Sequence, residues 1–198
     1  KIGQILDSIQ AWNLASNTVF MVLFGDNGTR ENVISMWEGE AIPGSREEPT
    51  EHGTHVPFFV YWPGTVAPGK VNKDLIDFTD FLPTIADIAG TSIPASYGTI
   101  DGISFYPSLT GQNGPKRDWI YSMYWPVPNR PGLSVKTFFE WVQDKKYKLY
   151  DITSVQFSGD FYKMKNFNEE YPPLDVDSLS PRQKSIRDKF LKVLKQMH

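Results

Sequence analysis

Two unbroken apolar stretches, TVFMVLF at 18–24 and VPFFVYW at 56–62, constrain the fold more than any other feature of the chain. Each is far shorter than the ~20 residues that cross a bilayer, so no membrane span is expected. Neither alternates apolar with polar residues, as a strand wetted on one face does. Both therefore read as strands covered on both faces, with Pro57 near the start of the second, where a missing donor is tolerated. Ahead of the first, Ile2, Ile5, Leu6, Ile9 and Trp12 recur at spacings of three and four and predict a helix with one apolar face. Helix, strand, long connection and strand is the grammar of an α/β layer. No capping residue precedes the helix and the chain opens on Lys1, so the segment is expected to be cut from a longer protein.

With 198 residues, 40% of them hydrophobic and 22% charged, the chain can bury one sizeable core, or a large and a small one. A formal net charge of -3 leaves no basic footprint of the kind that neutralises phosphate backbones, so nucleic acid is not an expected partner. The absence of cysteine excludes disulfides, thiolate metal sites and cysteine nucleophiles within this chain.

Past the second stretch, FTDFLPTIADIAG predicts a helix capped by Thr79 or Asp80, with Pro83 in its first turn and Gly90 as its stop. Its expected buried stripe is Leu82, Ile85, Ala86 and Ala89. From about Lys116 the pattern becomes antiparallel. WIYSMYW, VKTFFEWVQDKKYKLYDI with a hairpin tip at Asp144-Lys145-Lys146, and GDFYKMK give three or four short aromatic strands. The last stretch, SPRQKSIRDKFLKVLKQMH, carries a capping-box pattern at Ser180 and Gln183 around Pro181, and a buried face of Ile186, Phe190, Val193, Leu194 and Met197. Two domains are expected: residues 1–115 as part of an α/β domain, and 116–198 as a small antiparallel sheet with one terminal helix.

The first apolar stretch runs directly into Gly-Asp-Asn-Gly at 25–28. Asn27-Gly28 suits a two-residue hairpin turn, although no alternating strand follows it, and Asn27-Gly28-Thr29 is also a glycosylation sequon. A different reading places Asp26 and Asn27 at the carboxyl end of a central strand, where open α/β sheets build ligand crevices. A carboxylate and an amide carbonyl are hard oxygen donors that suit Ca²⁺ or Mg²⁺, but two ligands fall well short of a coordination sphere. Long ordered connections such as 27–55 are usually functional or locally structured.

Taken in order, SNTVFMVLFGDNG, PGSREEPTEHGTHVPFFVYWPG, DFTDFLPTIADIAG and DGISFYPSLTG resemble the C-terminal half of the sulfatases, members of the alkaline-phosphatase superfamily. The closing DKKYKLYDI and GDFYKMKNFNEEYPPL are similar to the family's small C-terminal domain, so the resemblance covers nearly the whole chain. It implies an alkaline-phosphatase-like mixed sheet with flanking helices, and a Ca²⁺ ion held by Asp26 and Asn27 with acidic ligands from the missing N-terminal half of the same protein. That half would also carry the nucleophile, a formylglycine made from Cys or Ser within Cys/Ser-x-Pro-x-Arg, which attacks the sulfur of a sulfate ester. The implied substrate is a small-molecule (aryl) or glycan sulfate ester, and the implied location secreted or periplasmic.

The chain departs from the family pattern in two places. It has neither cysteine nor Ser-x-Pro-x-Arg, so this polypeptide by itself is not expected to turn over a sulfate ester. Arg46 falls where the family usually has a lysine that contacts the sulfate. Arginine keeps the charge and grips two oxygens, yet cannot donate its proton. The plainer alternative for Arg46 is a solvated cation beside Glu47, Glu48 or Glu51. His55 is the expected substrate contact, His52 a plain polar loop residue. A zinc site is not expected from histidines at 52, 55 and 198 alone. Trp119, Tyr121, Tyr124 and Trp125 suit a sugar platform or the packing of a small sheet. The competing functions are a phosphodiesterase or phosphonate monoester hydrolase of the same superfamily, and a catalytically silent sulfatase-like binding protein.

Overall fold

A computed structural model describes residues 1–37, 39–125, 138–154, 156–165 and 168–197. In chain order the helices and strands are α1 (Ile2–Ala11), β1 (Phe20–Leu23), β2 (Ile34–Trp37), β3 (Glu40–Pro43), α2 (Glu51–Thr54), β4 (Phe58–Tyr61), α3 (Phe81–Ile88), α4 (Tyr106–Thr110), β5 (Ile120–Tyr124), β6 (Phe139–Gln143), β7 (Tyr147–Tyr150), β8 (Phe161–Lys165), β9 (Asn168–Glu170) and α5 (Pro181–Met197). They fall into two compact units, Lys1–Asp26 with Val56–Arg117, and Asn27–His55 with Asp118–His198. The long connection 27–55 therefore groups with the C-terminal strands.

In the first unit the two apolar stretches are strands, as their composition predicts, and they pair antiparallel, Phe20 opposite Tyr61 and Leu23 opposite Phe58. Their side chains are half-buried here rather than fully covered. Phe58, Phe81 and Phe105 meet edge to face with centroids 5.2–5.7 Å apart, which fixes α3 against β4. The expected stripe of α3 is displaced. Leu82 and Ile85 are exposed, and the fully buried side chain is Thr84, whose hydroxyl donates to Asp80 O at 2.6 Å and accepts from Phe105 N–H at 3.0 Å. The cap also moves. Asp77 accepts from Thr79 N–H while Asp80 accepts from Asp77 N–H, a capping box around a short 3₁₀ turn ahead of α3. Asp80 is instead a buried acceptor for Arg117, so the polar side of the helix, pinned by hydrogen bonds, faces inward.

The second unit is built on the antiparallel sheet β5-β6-β7-β8-β9. Asp144 closes the expected β6–β7 hairpin by accepting from Lys146 N–H at 2.7 Å and Tyr147 N–H at 2.8 Å. The residues 135–137 expected to begin that strand lie outside the described residues. Period-two alternation gives this sheet two faces. Val142, Leu149 and Phe161 pack with Phe190, Val193 and Leu194 of α5, while Trp141, Tyr150 and Tyr162 form a second cluster on the other side. The capping box at the start of α5 is present: Ser180 N–H donates to Gln183 Oε1 at 2.9 Å, and Gln183 N–H to Ser180 Oγ at 3.4 Å. Met197, expected on the buried face, is exposed because the sheet contact ends near Leu194. Trp119 and Tyr121 pack on the first cluster and Tyr124 on the second, stacked on Phe139. Packing therefore accounts for these three aromatics, and only Trp125 of that group is exposed.

Candidate functional site

The residues singled out by sequence cluster in and beside the connection 27–55, which carries its own hairpin, β2 paired with β3. Because β1 pairs with β4 and β2 with β3, Asn27-Gly28 does not turn a β1–β2 hairpin, and that alternative is overturned. Instead Gly28 N–H donates to Gly53 O at 2.8 Å. The approach is close enough that a β-carbon at Gly28 would lie 2.2 Å from His52 O, and one at Gly53 would lie 2.1 Å from Glu48 O. Only glycine fits at either position, since backbone cannot yield as a side-chain tip can.

Within the same loop Arg46 N–H donates to Thr29 O at 2.9 Å, and His55 N–H to Glu51 O at 2.8 Å. These backbone ties fold Asn27, Arg46 and His55 into one local structure, with Asp26 next in sequence to Asn27. Asp26 and Asn27 are both exposed.

Arg46 Nε lies 3.8 Å from Glu47 Oε1, with both side chains open to water. Such a solvated pair contributes little, so Arg46 is not committed to it. His55 differs. Its Nδ1 is 3.4 Å from Glu51 Oε2, and the Glu51 side chain is 7% exposed against 53% for the imidazole. The hydrogen bond to Glu51 raises the pKa of His55 above the ordinary histidine value, burial opposes it, and the charge of Glu51 adds to the rise. The ring therefore keeps its proton to higher pH than a free imidazole does.

As a calcium site, Asp26 and Asn27 fit by donor chemistry, being adjacent hard oxygen ligands placed after a strand and fixed behind by Gly28. Among the described residues no group of three or more His, Asp or Glu is placed to hold a metal. The remaining ligands of a six- to eight-coordinate ion would therefore have to come from beyond these residues.

Residues 49–197 match the family model for N-sulphoglucosamine sulphohydrolase, C-terminal, and residues 1–91 match the model for sulfatase. The chain belongs to the sulfatase family. It is 28% identical over 121 residues to an arylsulfatase of Hemicentrotus pulcherrimus, an alignment that takes in 61% of this chain and 22% of that protein. Among solved structures, the sulfatase chain superimposes with a TM-score of 0.73 and 20% identity on a protein in complex with its substrate D-glucosamine-2-N,6-O-disulfate, covering 98% of this chain and 37% of the other. A phosphonate monoester hydrolase from Silicibacter pomeroyi gives a TM-score of 0.59 at 17% identity over 99% of this chain and 37% of that one. At such identities the two structures establish the alkaline-phosphatase-like fold alone. The sulfatase chain spans less than a third of the length of the first curated relatives it matches.

Sequence reading missed the residues that anchor the loop: Glu51, Gln143, Lys148 and Glu169. The available signal was Lys148 itself, a cation in YKLY on the same strand face as Tyr150.

Proposed function

We propose that this chain is the C-terminal part of a calcium-dependent sulfatase that hydrolyses sulfate esters of glycans or aryl alcohols. The observation that carries the reading is that one sulfatase-family loop ties the backbone around Asn27, Arg46 and His55 into a single local structure, with Asp26 next in sequence to Asn27. Asp26 and Asn27 would hold the ion together with acidic residues of the remainder of the protein, the expected partner of this segment and the expected bearer of the formylglycine. Bound there, calcium supplies Lewis-acid charge to the ester oxygens.

This chain's own residues then bind and orient. Arg46 offers a planar, permanently charged donor pair to the sulfate oxygens, but no proton. His55, whose pKa the hydrogen bond to Glu51 raises, adds a second donor, cationic when its ring carries both protons. Of the two, only His55 can exchange a proton near neutral pH, so any acid assistance to the leaving oxygen from this loop comes through its ring. Charge fixed where it develops in the transition state is the main source of rate. No helix among the described residues is long and apolar enough to cross a membrane; the secreted or periplasmic location is proposed from the family resemblance alone.

The test is sulfate release by the complete protein from a chromogenic aryl sulfate, measured beside the matched phosphonate monoester. A higher rate on the sulfate supports the reading. Preference for the phosphonate would favour the second reading, for which the fold likeness to the phosphonate monoester hydrolase is the motive. Inactivity on both would leave a silent binding protein. Replacing Arg46 with alanine is expected to lower kcat/KM on the sulfate ester by roughly a hundredfold, about 3 kcal/mol for a lost charged donor to the reacting anion. Unchanged kinetics would return Arg46 to a solvated surface role.

A further inference from the structure

Lys148 takes no part in that reading, yet it is the cation whose burial most needs a cause, since its side chain is fully enclosed. Its ammonium donates to Glu169 Oε1 at 2.8 Å and to the carbonyl oxygen of Pro49 at 2.6 Å. It also lies 5.0 Å over the ring centroids of Trp141 and Tyr150. The Tyr150 hydroxyl reaches the same two acceptors, 3.3 Å from Pro49 O and 3.1 Å from Glu169 Oε1. The other oxygen of Glu169 accepts from Glu51 N–H at 3.4 Å.

Glu51 extends the network outward. Its Oε1 accepts from the Gln143 side-chain amide, whose oxygen accepts from the Trp141 indole at 3.1 Å, and its Oε2 faces His55 Nδ1. Strands β6, β7 and β9 thus converge from the face opposite α5 upon residues 49–51, about a hundred positions earlier in the chain. Burial pushes the Lys148 amine below its ordinary value, an effect its pairing with Glu169 partly offsets.

An ion pair kept only to stabilise a core has no advantage here, because apolar residues of similar volume commonly do as well or better. What this pair does that apolar side chains cannot is fix two backbone groups, Pro49 O and Glu51 N–H. Those groups lie between Arg46 and His55 in sequence, and both residues are tied to the same loop.

We propose that Lys148 and Glu169 are positioning residues that clamp the backbone of residues 49–51 and so set where Arg46 and His55 meet an anionic ester. The inference rests on the sulfatase reading for what those two residues touch. Its structural half stands apart from that reading and is measured separately.

The experiment compares Lys148→Met with the double variant Lys148→Met/Glu169→Met in the complete protein, by hydrogen exchange, thermal unfolding and aryl sulfate kinetics. Lys148→Met is expected to speed exchange across 45–55 at least about tenfold and to lower kcat/KM about a hundredfold, the cost of a displacement of order 1 Å in a reactive constellation. The double variant removes the uncompensated charge. It is expected to recover the wild-type unfolding midpoint while loop exchange stays fast and kcat/KM stays low. Where the single variant does not fold, the double variant decides the matter alone. Recovery of loop protection and activity together with stability would overturn the proposal, leaving the pair as packing. If the unmodified protein releases no sulfate, the sulfatase reading falls, and the exchange measurements still decide the clamp.

Discussion

Replacing Asp26 with alanine in the complete protein is expected to lower kcat/KM on an aryl sulfate by about a thousandfold. A Lewis-acid ion contributes several kcal/mol of charge stabilisation to such a reaction, and each ~1.4 kcal/mol is a factor of ten in rate. Asp26 is exposed and follows β1 rather than filling a core, so the loss should not be one of folding. The independent readout is calcium itself. An ion that binds only the folded state raises the unfolding temperature with its concentration, and that rise is expected for the wild type and absent in Asp26→Ala. Asn27→Ala, which removes a neutral carbonyl donor, is expected to weaken the calcium response with a smaller kinetic cost. Full turnover in Asp26→Ala, with an undiminished calcium response, would remove the metal from this position and with it the proposed source of most of the rate.

Where a residue's role is local, sequence was a good guide to it. The capping box at Ser180 and Gln183, the Asp144 turn and the two apolar strands depend on neighbours within a few positions, and the structure has each of them. Membership of the sulfatase family was legible for the same reason, since short motifs in fixed order survive at identities as low as 28%. Long-range polar contacts were not legible. Periodicity assigns Leu82 and Ile85 to the inner face of α3, but the phase is set by Asp80 and Thr84, whose partners Arg117 and Phe105 lie 37 and 21 residues away. Likewise nothing in YKLY indicates that its lysine pairs with Glu169 of a three-residue strand, or that both hold Pro49 and Glu51. An apolar residue declares its burial by type, whereas a buried charge does so only through a partner that the fold supplies. The connection 27–55 was recognisable in sequence as a locally structured loop, but the polar anchor that holds it was not.

That same contrast yields the largest expected effect on stability. Asp80 and Arg117 are a buried pair, with side chains 2% and 9% exposed. The carboxylate accepts from Arg117 Nε at 2.9 Å and from its Nη2, from Asp77 N–H at 2.8 Å and from Ile103 N–H at 2.6 Å. Arg117 Nη2 also reaches Asp101 O at 3.2 Å, so one ion pair fastens the start of α3 to the segment that leads into α4. Asp80→Asn keeps the shape but strands the guanidinium without its counterion. Breaking a buried pair from one side costs about 3–5 kcal/mol, which for a domain of this size corresponds to a fall in Tm of roughly 10 °C. Arg117→Met alone should cost a similar amount, because it leaves the carboxylate buried and unneutralised. The double variant, Asp80→Asn with Arg117→Met, should lose clearly less than the sum of the two, since each substitution removes the charge that the other leaves uncompensated. Additive losses in that cycle would mean that the charges act independently. The segments would then be held by the backbone donors to Asp80 and the Thr84 hydroxyl, not by the ion pair.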